Sequence, residues 1–120
     1  MGAIAGLTQC AESKDLQTLR GLAFGYVNIC SNPANHVACE RLGLLRPIIS
    51  LLQHSDKDVH LPACLAVRHL CETPRCRNQF LDLGGVQPLL ALGKEDDVEV
   101  RREVAAAMRN LSLSEPGMNN

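Results

Sequence analysis

Apolar and polar positions follow one another along the chain in blocks that occur more than once. A short apolar stretch at 46–53 is followed by the polar stretch 54–58, and small and apolar residues then recur at helical spacing over roughly 57–71. The same order returns with the polar stretch 94–97 and the helical pattern 98–112. Each block therefore predicts a short helix, a turn and a longer helix.

Proline, aspartate and glycine mark the ends of these predicted helices. Pro47 and Pro88 stand near the first turn of the short helix, where a missing N–H does little harm. Asp56 and Asp97 stand where an N-cap of the longer helix is expected.

The segments between blocks predict a third, shorter helix. Residues 31–33 (SNP) and 72–74 (ETP) interrupt the longer helix, and a short helix is then expected to run up to Gly43 or Gly84. Glycine there can end a helix in the left-handed conformation.

The blocks are copies of one repeat. Gly43 and Gly84 are 84 − 43 = 41 residues apart, and Gly2 precedes Gly43 by the same interval. Asp15, Asp56 and Asp97 keep the same register without a gap, and so do Ile29, Leu70 and Leu111. A period near 41 with two or three helices per copy is typical of armadillo and HEAT arrays.

The best-preserved copy carries a family resemblance. Segments 78–92 (NQFLDLGGVQPLLAL) and 100–112 (VRREVAAAMRNLS) resemble an armadillo repeat in the first-helix Phe80, the Gly-Gly turn and the A-x-A-x-R-N-L ending. A HEAT array is the alternative, and the Gly-Gly turn and this ending argue against it. The resemblance implies an all-α, right-handed solenoid of about two and two-thirds repeats.

We expect one armadillo domain over the whole chain, 1–120. Its parts are a partial repeat at 1–30, repeats at 35–71 and 76–112, and a tail or truncated next repeat at 113–120.

The resemblance also implies a binding groove lined by the third helix of each repeat. The residues expected there are Arg20, Phe24, Asn28, Leu65, His69, Arg102, Ala106 and Asn110. In the importin-alpha-like branch of the family a Trp and an Asn alternate along this groove. Here the Trp position holds Phe, Leu and Ala, and the Asn series is interrupted by His69. These departures argue against binding of nuclear-import cargo, and binding of another protein or peptide segment is the main hypothesis.

Two features of this groove have alternative interpretations. Asn28 and Asn110 can bind a peptide backbone, or they can bond to the backbone of a neighbouring repeat. Arginines such as Arg102 and Arg109 can make the groove basic and favour an acidic partner, or they can pair with acidic residues of the array, for example Glu99 or Glu103. Arg20 and Arg68 raise the same question.

Both ends of the chain resemble cut repeats. The first copy starts at its second helix, and residues 112–120 resemble a linker into a further copy. Because solenoids need polar capping repeats, a second function is possible: end-to-end self-association through apolar terminal residues, of which we single out Ile4, Leu7 and Leu113.

Composition narrows the class of protein. Hydrophobic residues make up 46% and aromatic residues 2%, so the predicted core is aliphatic. The net charge of −1 and the absence of a basic stretch argue against nucleic acid, and no apolar run reaches membrane-spanning length. We expect a cytoplasmic or nuclear protein without a cofactor. No nucleophile with a base and no phosphate loop appears, so we do not expect an enzyme.

The six cysteines are not expected to form disulfides or to bind a metal, and the repeat alignment assigns most of them to the core. Cys64 aligns with Ala23, and Cys39 aligns with Phe80. Such positions suit Cys as a small hydrophobic residue. Cys10 aligns with leucines, and only the cysteines nearest the turns, Cys30, Cys71 and Cys76, would oxidise if exposed.

Pro62 interrupts the repeat pattern. It falls in the first turns of the longer helix at 57–71, opposite Glu103 of the next copy. We expect a kink or a late helix start at this point.

Overall fold

The computed structural model of the protein describes residues 15–113, which fold entirely into helices and turns. In chain order the helices are α1 (Leu16–Cys30), a 3-10 turn (Pro33–Asn35), α2 (His36–Arg41), α3 (Leu45–Leu52), α4 (Lys57–Leu70), α5 (Pro74–Asp82), α6 (Val86–Leu92) and α7 (Val98–Leu111).

The long helices stack in the order of the repeats. Helix α4 packs against α1 on one side and α7 on the other, while the short helices α3 and α6 pack on the long helix of their own repeat. Helix α2 packs on its equivalent α5. Each repeat thus contacts its neighbours in sequence, and the predicted all-α solenoid is confirmed.

Of the two outcomes expected at Pro62, a kink or a late helix start, the late start is wrong. Helix α4 begins at Lys57 and α7 begins at Val98, which is the same repeat position. Because Pro62 is an interior residue of α4, its missing N–H removes one hydrogen bond, to the carbonyl of Asp58. Packing of α4 between α1 and α7 stabilises the helix despite this missing hydrogen bond.

The predicted glycine turns are confirmed. Gly43 has φ of 72° and Gly84 has φ of 76°, the left-handed region that other residues rarely adopt. After each glycine the chain bonds back to the ended helix: Leu44 N–H donates to Cys39 at 2.9 Å, and Gly85 N–H donates to Phe80 at 3.0 Å. These are the bonds of a Schellman ending.

The core is aliphatic, with Tyr26 and Phe80 as its buried aromatic residues in the described range. Cys39 and Cys64 are fully buried, as their alignment predicted. Cys30, Cys71 and Cys76 are buried too, so the exposure needed for ready oxidation is not met. Burial raises the pKa of Cys64, Cys71 and Cys76 to about 12, which keeps these thiols protonated at neutral pH. Cys10 lies outside the described residues.

Two buried polar side chains, His36 and Arg77, donate equivalent hydrogen bonds in successive repeats. A ring nitrogen of His36, Nε2, donates to the carbonyl of Cys30 at 2.6 Å. The guanidinium of Arg77 donates to the carbonyl of Cys71 at 2.9 Å. His36 and Arg77 occupy equivalent repeat positions, as do the two cysteines. Each side chain therefore satisfies a carbonyl at the end of a long helix, which has no intrahelical donor.

Candidate binding groove

A depression of about 400 Å³ lies between α1 and α4 and reaches the start of α7. Its apolar lining consists of Phe24, Val27, Leu61, Pro62 and Leu65. Its charged lining consists of Arg20, Lys57, Asp58 and Asp97.

Phe24 is the most conspicuous residue of this depression. Its side chain is 62% exposed, which is the highest value among the large hydrophobic residues described. Leu19, Leu22, Ala23 and Tyr26 fill the buried face of the same helix, so the helical period directs Phe24 away from the core. An aromatic ring held on a rigid helix beside an apolar depression is a suitable contact for another apolar group.

Arg20 is held by α4 rather than free in the groove. Its Nε and Nη2 donate to the two carboxylate oxygens of Asp56 at 2.9 and 3.0 Å, and Asp58 lies 3.3 Å away. The hydrogen bond with Arg20 lowers the pKa of Asp56 and raises that of the guanidinium. The bidentate contact ties α1 to the first turn of the next long helix.

Arg68 is likewise engaged across repeats. Its Nη1 donates to Glu103 of α7 at 2.9 Å. Of the arginines considered for a basic groove, Arg102 and Arg109 are exposed and form no ion pair with another described residue. The pairing of arginine with an acidic residue of the array is thus observed for Arg20 and Arg68, although Arg20 uses Asp56 rather than Glu99 or Glu103.

The two asparagines differ. Asn110 donates from its side-chain nitrogen to the backbone carbonyl of Arg68 at 2.9 Å, which is the inter-repeat bond given above as the alternative to peptide binding. Asn28 is exposed, and its side chain makes no hydrogen bond within the described part of the chain. His69 is half-buried, and burial, with Arg68 beside it, lowers its pKa, so it is neutral at pH 7.

The structure brings three predicted groove residues, Arg20, Phe24 and Leu65, to one depression. It does not place Asn28, His69, Arg102, Ala106 or Asn110 in that lining. Sequence reasoning missed the contributions of Val27, Lys57, Asp58, Pro62 and Asp97. Part of that signal was available, since Val27 follows Phe24 by three residues and therefore lies on the same helix face.

Of the three residues predicted for self-association, the structure describes only Leu113. Leu113 is 56% exposed at the end of the described chain. Ile4 and Leu7 lie outside the described residues. Between residues 15 and 113 no helix is long and apolar enough to cross a membrane. In the same range no group of three or more His, Cys, Asp or Glu side chains is placed to hold a metal ion.

Comparison with known families decides what this array is. The model of the Armadillo/beta-catenin-like repeat matches residues 41–72 and 73–113. The chain belongs to the armadillo repeat family.

Relatives of this armadillo chain occur in three distant organisms. Importin subunit alpha-2 of Caenorhabditis elegans is 32% identical over 95 residues, which cover 78% of this chain and 17% of that protein. Protein CELLULOSE SYNTHASE INTERACTIVE 2 of Arabidopsis thaliana is 30% identical over 105 residues, covering 86% and 5%. Vacuolar protein 8 of Saccharomyces cerevisiae is 28% identical over 116 residues, covering 95% and 20%. The chain thus spans a fifth or less of these relatives.

Solved structures agree with the armadillo fold. An engineered protein superimposes with a TM-score of 0.87 at 26% identity, covering 96% of this chain and 47% of that one. A designed armadillo repeat protein in complex with the peptide (KR)4 gives a TM-score of 0.89 at 21% identity, covering 98% and 50%.

Proposed function

We propose that this armadillo chain is a protein-interaction module whose concave groove, formed by α1, α4 and α7, binds a segment of a partner protein. The observation that carries the proposal is Phe24, 62% exposed beside the depression of about 400 Å³. Burying such an aromatic ring against a partner contributes about 2 kcal/mol or more.

The charges of the depression favour an apolar side chain of the partner. Arg20 and Lys57 are balanced in number by Asp58 and Asp97, and Arg20 already contacts Asp56. The segment therefore places an apolar residue between Phe24 and Leu65. Arg102 and Arg109, which are exposed on α7, remain available for an acidic residue further along the segment.

The relatives support an interaction role in general terms. One of them is named for its interaction with cellulose synthase. The family match also makes a binding scaffold more plausible than an enzyme. Because the chain covers so little of each relative, their particular partners are not carried over to it.

The experiment that tests this proposal uses a displayed random-peptide library selected on the wild-type protein. We expect the selected peptides to share an apolar residue and to lose about tenfold or more in affinity for Phe24→Glu. Leu81→Glu is the matched control, because Leu81 is an exposed hydrophobic residue on α5, outside the groove.

Charge at the other end of the groove is tested with Arg102→Glu/Arg109→Glu. Reduced affinity for peptides with an acidic residue, with unchanged circular dichroism, supports contact with α7. If Phe24→Glu and Leu81→Glu bind the selected peptides equally well, the groove proposal is wrong.

A second function, end-to-end self-association, is favoured by the exposed end of the third repeat. A depression of about 410 Å³ there is lined by Leu90, Ala91, Gly93 and Val104 together with Gln87 and Lys94. We propose that this surface, with Leu113 and with Ile4 and Leu7 near the other end, mediates contact between copies. Light scattering over a concentration series tests it: molar mass should rise with concentration and fall for Leu90→Glu/Leu113→Glu. A constant monomer mass contradicts it.

A further inference from the structure

A second pocket lies at the edge of the solenoid, away from the groove. This cavity of about 440 Å³ is formed by the turn between α3 and α4 and the turn between α6 and α7. Its apolar walls are Leu52, Pro88, Ala91 and Leu92. Its polar lining consists of Gln53, His54, Ser55, His60, Gln87 and Glu95. It shares no lining residue with the groove.

His60 presents an unsatisfied nitrogen in this edge pocket. The residue is only 4% exposed. Its Nε2 contacts the backbone carbonyl of His54; because a carbonyl can only accept, Nε2 carries the hydrogen. The other ring nitrogen, Nδ1, is buried and has no hydrogen-bond partner among the described residues. Such a group is costly to bury unsatisfied.

The carboxylate of Glu95 faces that same nitrogen. Its Oε2 lies 3.5 Å from Nδ1 of His60. With a neutral imidazole, two hydrogen-bond acceptors confront each other across this gap, and both are satisfied if a cation with several N–H donors sits beside them. The Glu95 side chain is 34% exposed, so such a cation can reach it from solvent.

The surroundings select the kind of cation. Among the residues that the structure describes, Glu95 is the one acidic group that lines the pocket, and no Lys or Arg lines it. The apolar walls suit a methylene stem, as in the lysine side chain. A compact ammonium can donate to two acceptors 3.5 Å apart, whereas a guanidinium fork is matched to the two oxygens of one carboxylate.

We infer that the edge pocket binds an alkylammonium group, that of a lysine side chain of a partner protein, on the exposed side of the Glu95 carboxylate and next to Nδ1 of His60. This site is independent of the groove proposal, because neither its residues nor its chemistry involve Phe24.

The experiment titrates the full chain at pH 7.5 with Nα-acetyl-lysine-N-methylamide and follows the His60 imidazole nitrogens by NMR. We expect a saturable shift of the Nδ1 resonance. The matched compound Nα-acetyl-norleucine-N-methylamide, which lacks the ammonium, should produce none. Glu95→Gln should weaken binding about tenfold or more, since a charge-assisted hydrogen bond is lost.

Two further variants serve as controls. One tests whether any nearby negative charge is sufficient for binding, and the other tests whether the groove contributes to it. Asp96→Asn removes the neighbouring negative charge and should change affinity less than about twofold, because exposed charges are screened. Phe24→Glu should leave lysine-amide binding unchanged.

Three results would overturn the inference. The first is no response, or an equal response to the norleucine compound. The second is equal weakening by Glu95→Gln and Asp96→Asn. The third is a free protein in which Nδ1 of His60 already carries a proton at pH 7.5, because that proton would satisfy the gap without a ligand.

Discussion

The middle repeat (35–71) and the third repeat (76–112) keep one register but differ in burial. Ile49 of α3 is 9% exposed, whereas Leu90, its equivalent in α6, is 40% exposed. Cys64 of α4 is fully buried and its equivalent Ala105 is exposed. The middle repeat has a stacked neighbour on each side, and the third has one in the described chain. Burial at a repeat position is therefore decided by stacking as well as by residue type.

The same two repeats fill one space with different residues. In the third repeat, the ring of Phe80 lies where a side chain on Gly85 would begin, and a Cβ there would overlap Cε1 of Phe80. In the middle repeat the equivalent residues are Cys39 and Leu44, and both are fully buried. The third repeat thus combines the large Phe80 with the small Gly85. The middle repeat combines the small Cys39 with the larger Leu44.

A third contrast concerns the aspartates that precede the long helices. Asp97 accepts from the backbone N–H groups of Glu99 and Val100 and caps α7. Asp56 makes no such cap bond and is held by Arg20 instead. Arg20 has Leu61 as its equivalent one repeat later, and no described arginine pairs with Asp97. Both aspartates thus occupy the predicted N-cap position, but only the Asp97 side chain makes cap hydrogen bonds.

The largest expected effect on stability comes from placing a large side chain at Gly85, next to the Phe80 ring in the third repeat. Gly85→Leu should destabilise the protein by about 3 kcal/mol or more, because the new side chain overlaps the Phe80 ring. The double variant Phe80→Cys/Gly85→Leu copies the middle repeat and should recover much of that loss in urea unfolding. Additive effects of Phe80→Cys and Gly85→Leu would contradict this pairing of a large residue with a small one.

Truncation at equivalent positions tests the contrast in stacking. Ile49→Ala should lower the free energy of unfolding by about 2–5 kcal/mol, because it leaves a cavity between repeats. Leu90→Ala should lower it by about 0.5 kcal/mol, as expected at an exposed site. Equal losses in urea unfolding would show that the end of the third repeat is covered, for instance by another copy.

The aspartates are distinguished by salt. Asp97→Ala should cost about 1 kcal/mol through loss of the cap, with little dependence on salt. Asp56→Ala should cost less than Asp97→Ala, and that loss should shrink in about 1 M NaCl, because an ion pair is screened. Thermal unfolding at two salt concentrations measures both. Matching salt dependence at the two sites would argue against their different roles.

The smallest effect is the pH dependence of the Arg20–Asp56 contact. The pKa of Asp56 is lower in the folded state because Arg20 bonds to the carboxylate, so its stabilisation is complete above the unfolded pKa of about 4 and is lost as pH falls through the lower folded value. The stability difference between wild type and Asp56→Asn should therefore shrink from pH 6 to pH 3. The surface change Asp82→Asn serves as the control. A difference that grows toward low pH would contradict this sign.

The fold could be predicted from the sequence because the chain repeats the same pattern of helices and turns. The glycine turns at Gly43 and Gly84, the prolines near helix starts and the 41-residue register all act locally, so each copy repeats the evidence. The sequence could not predict which side chains form hydrogen bonds or ion pairs between neighbouring repeats. Whether Arg20 meets Asp56, or Asn110 meets the backbone of Arg68, depends on how neighbouring repeats stack. The edge pocket was missed for the same reason, since His60 and Glu95 belong to different repeats.

The most direct test of the central claim is a map of where a library-selected peptide contacts the protein, obtained from amide and side-chain NMR shifts. We expect the largest changes at Phe24, Leu61 and Leu65, with no change at Leu81 on α5. Changes concentrated at Leu90 and Leu113 instead, with Phe24 unaffected, would contradict a partner-binding groove and place the interaction at the end of the array.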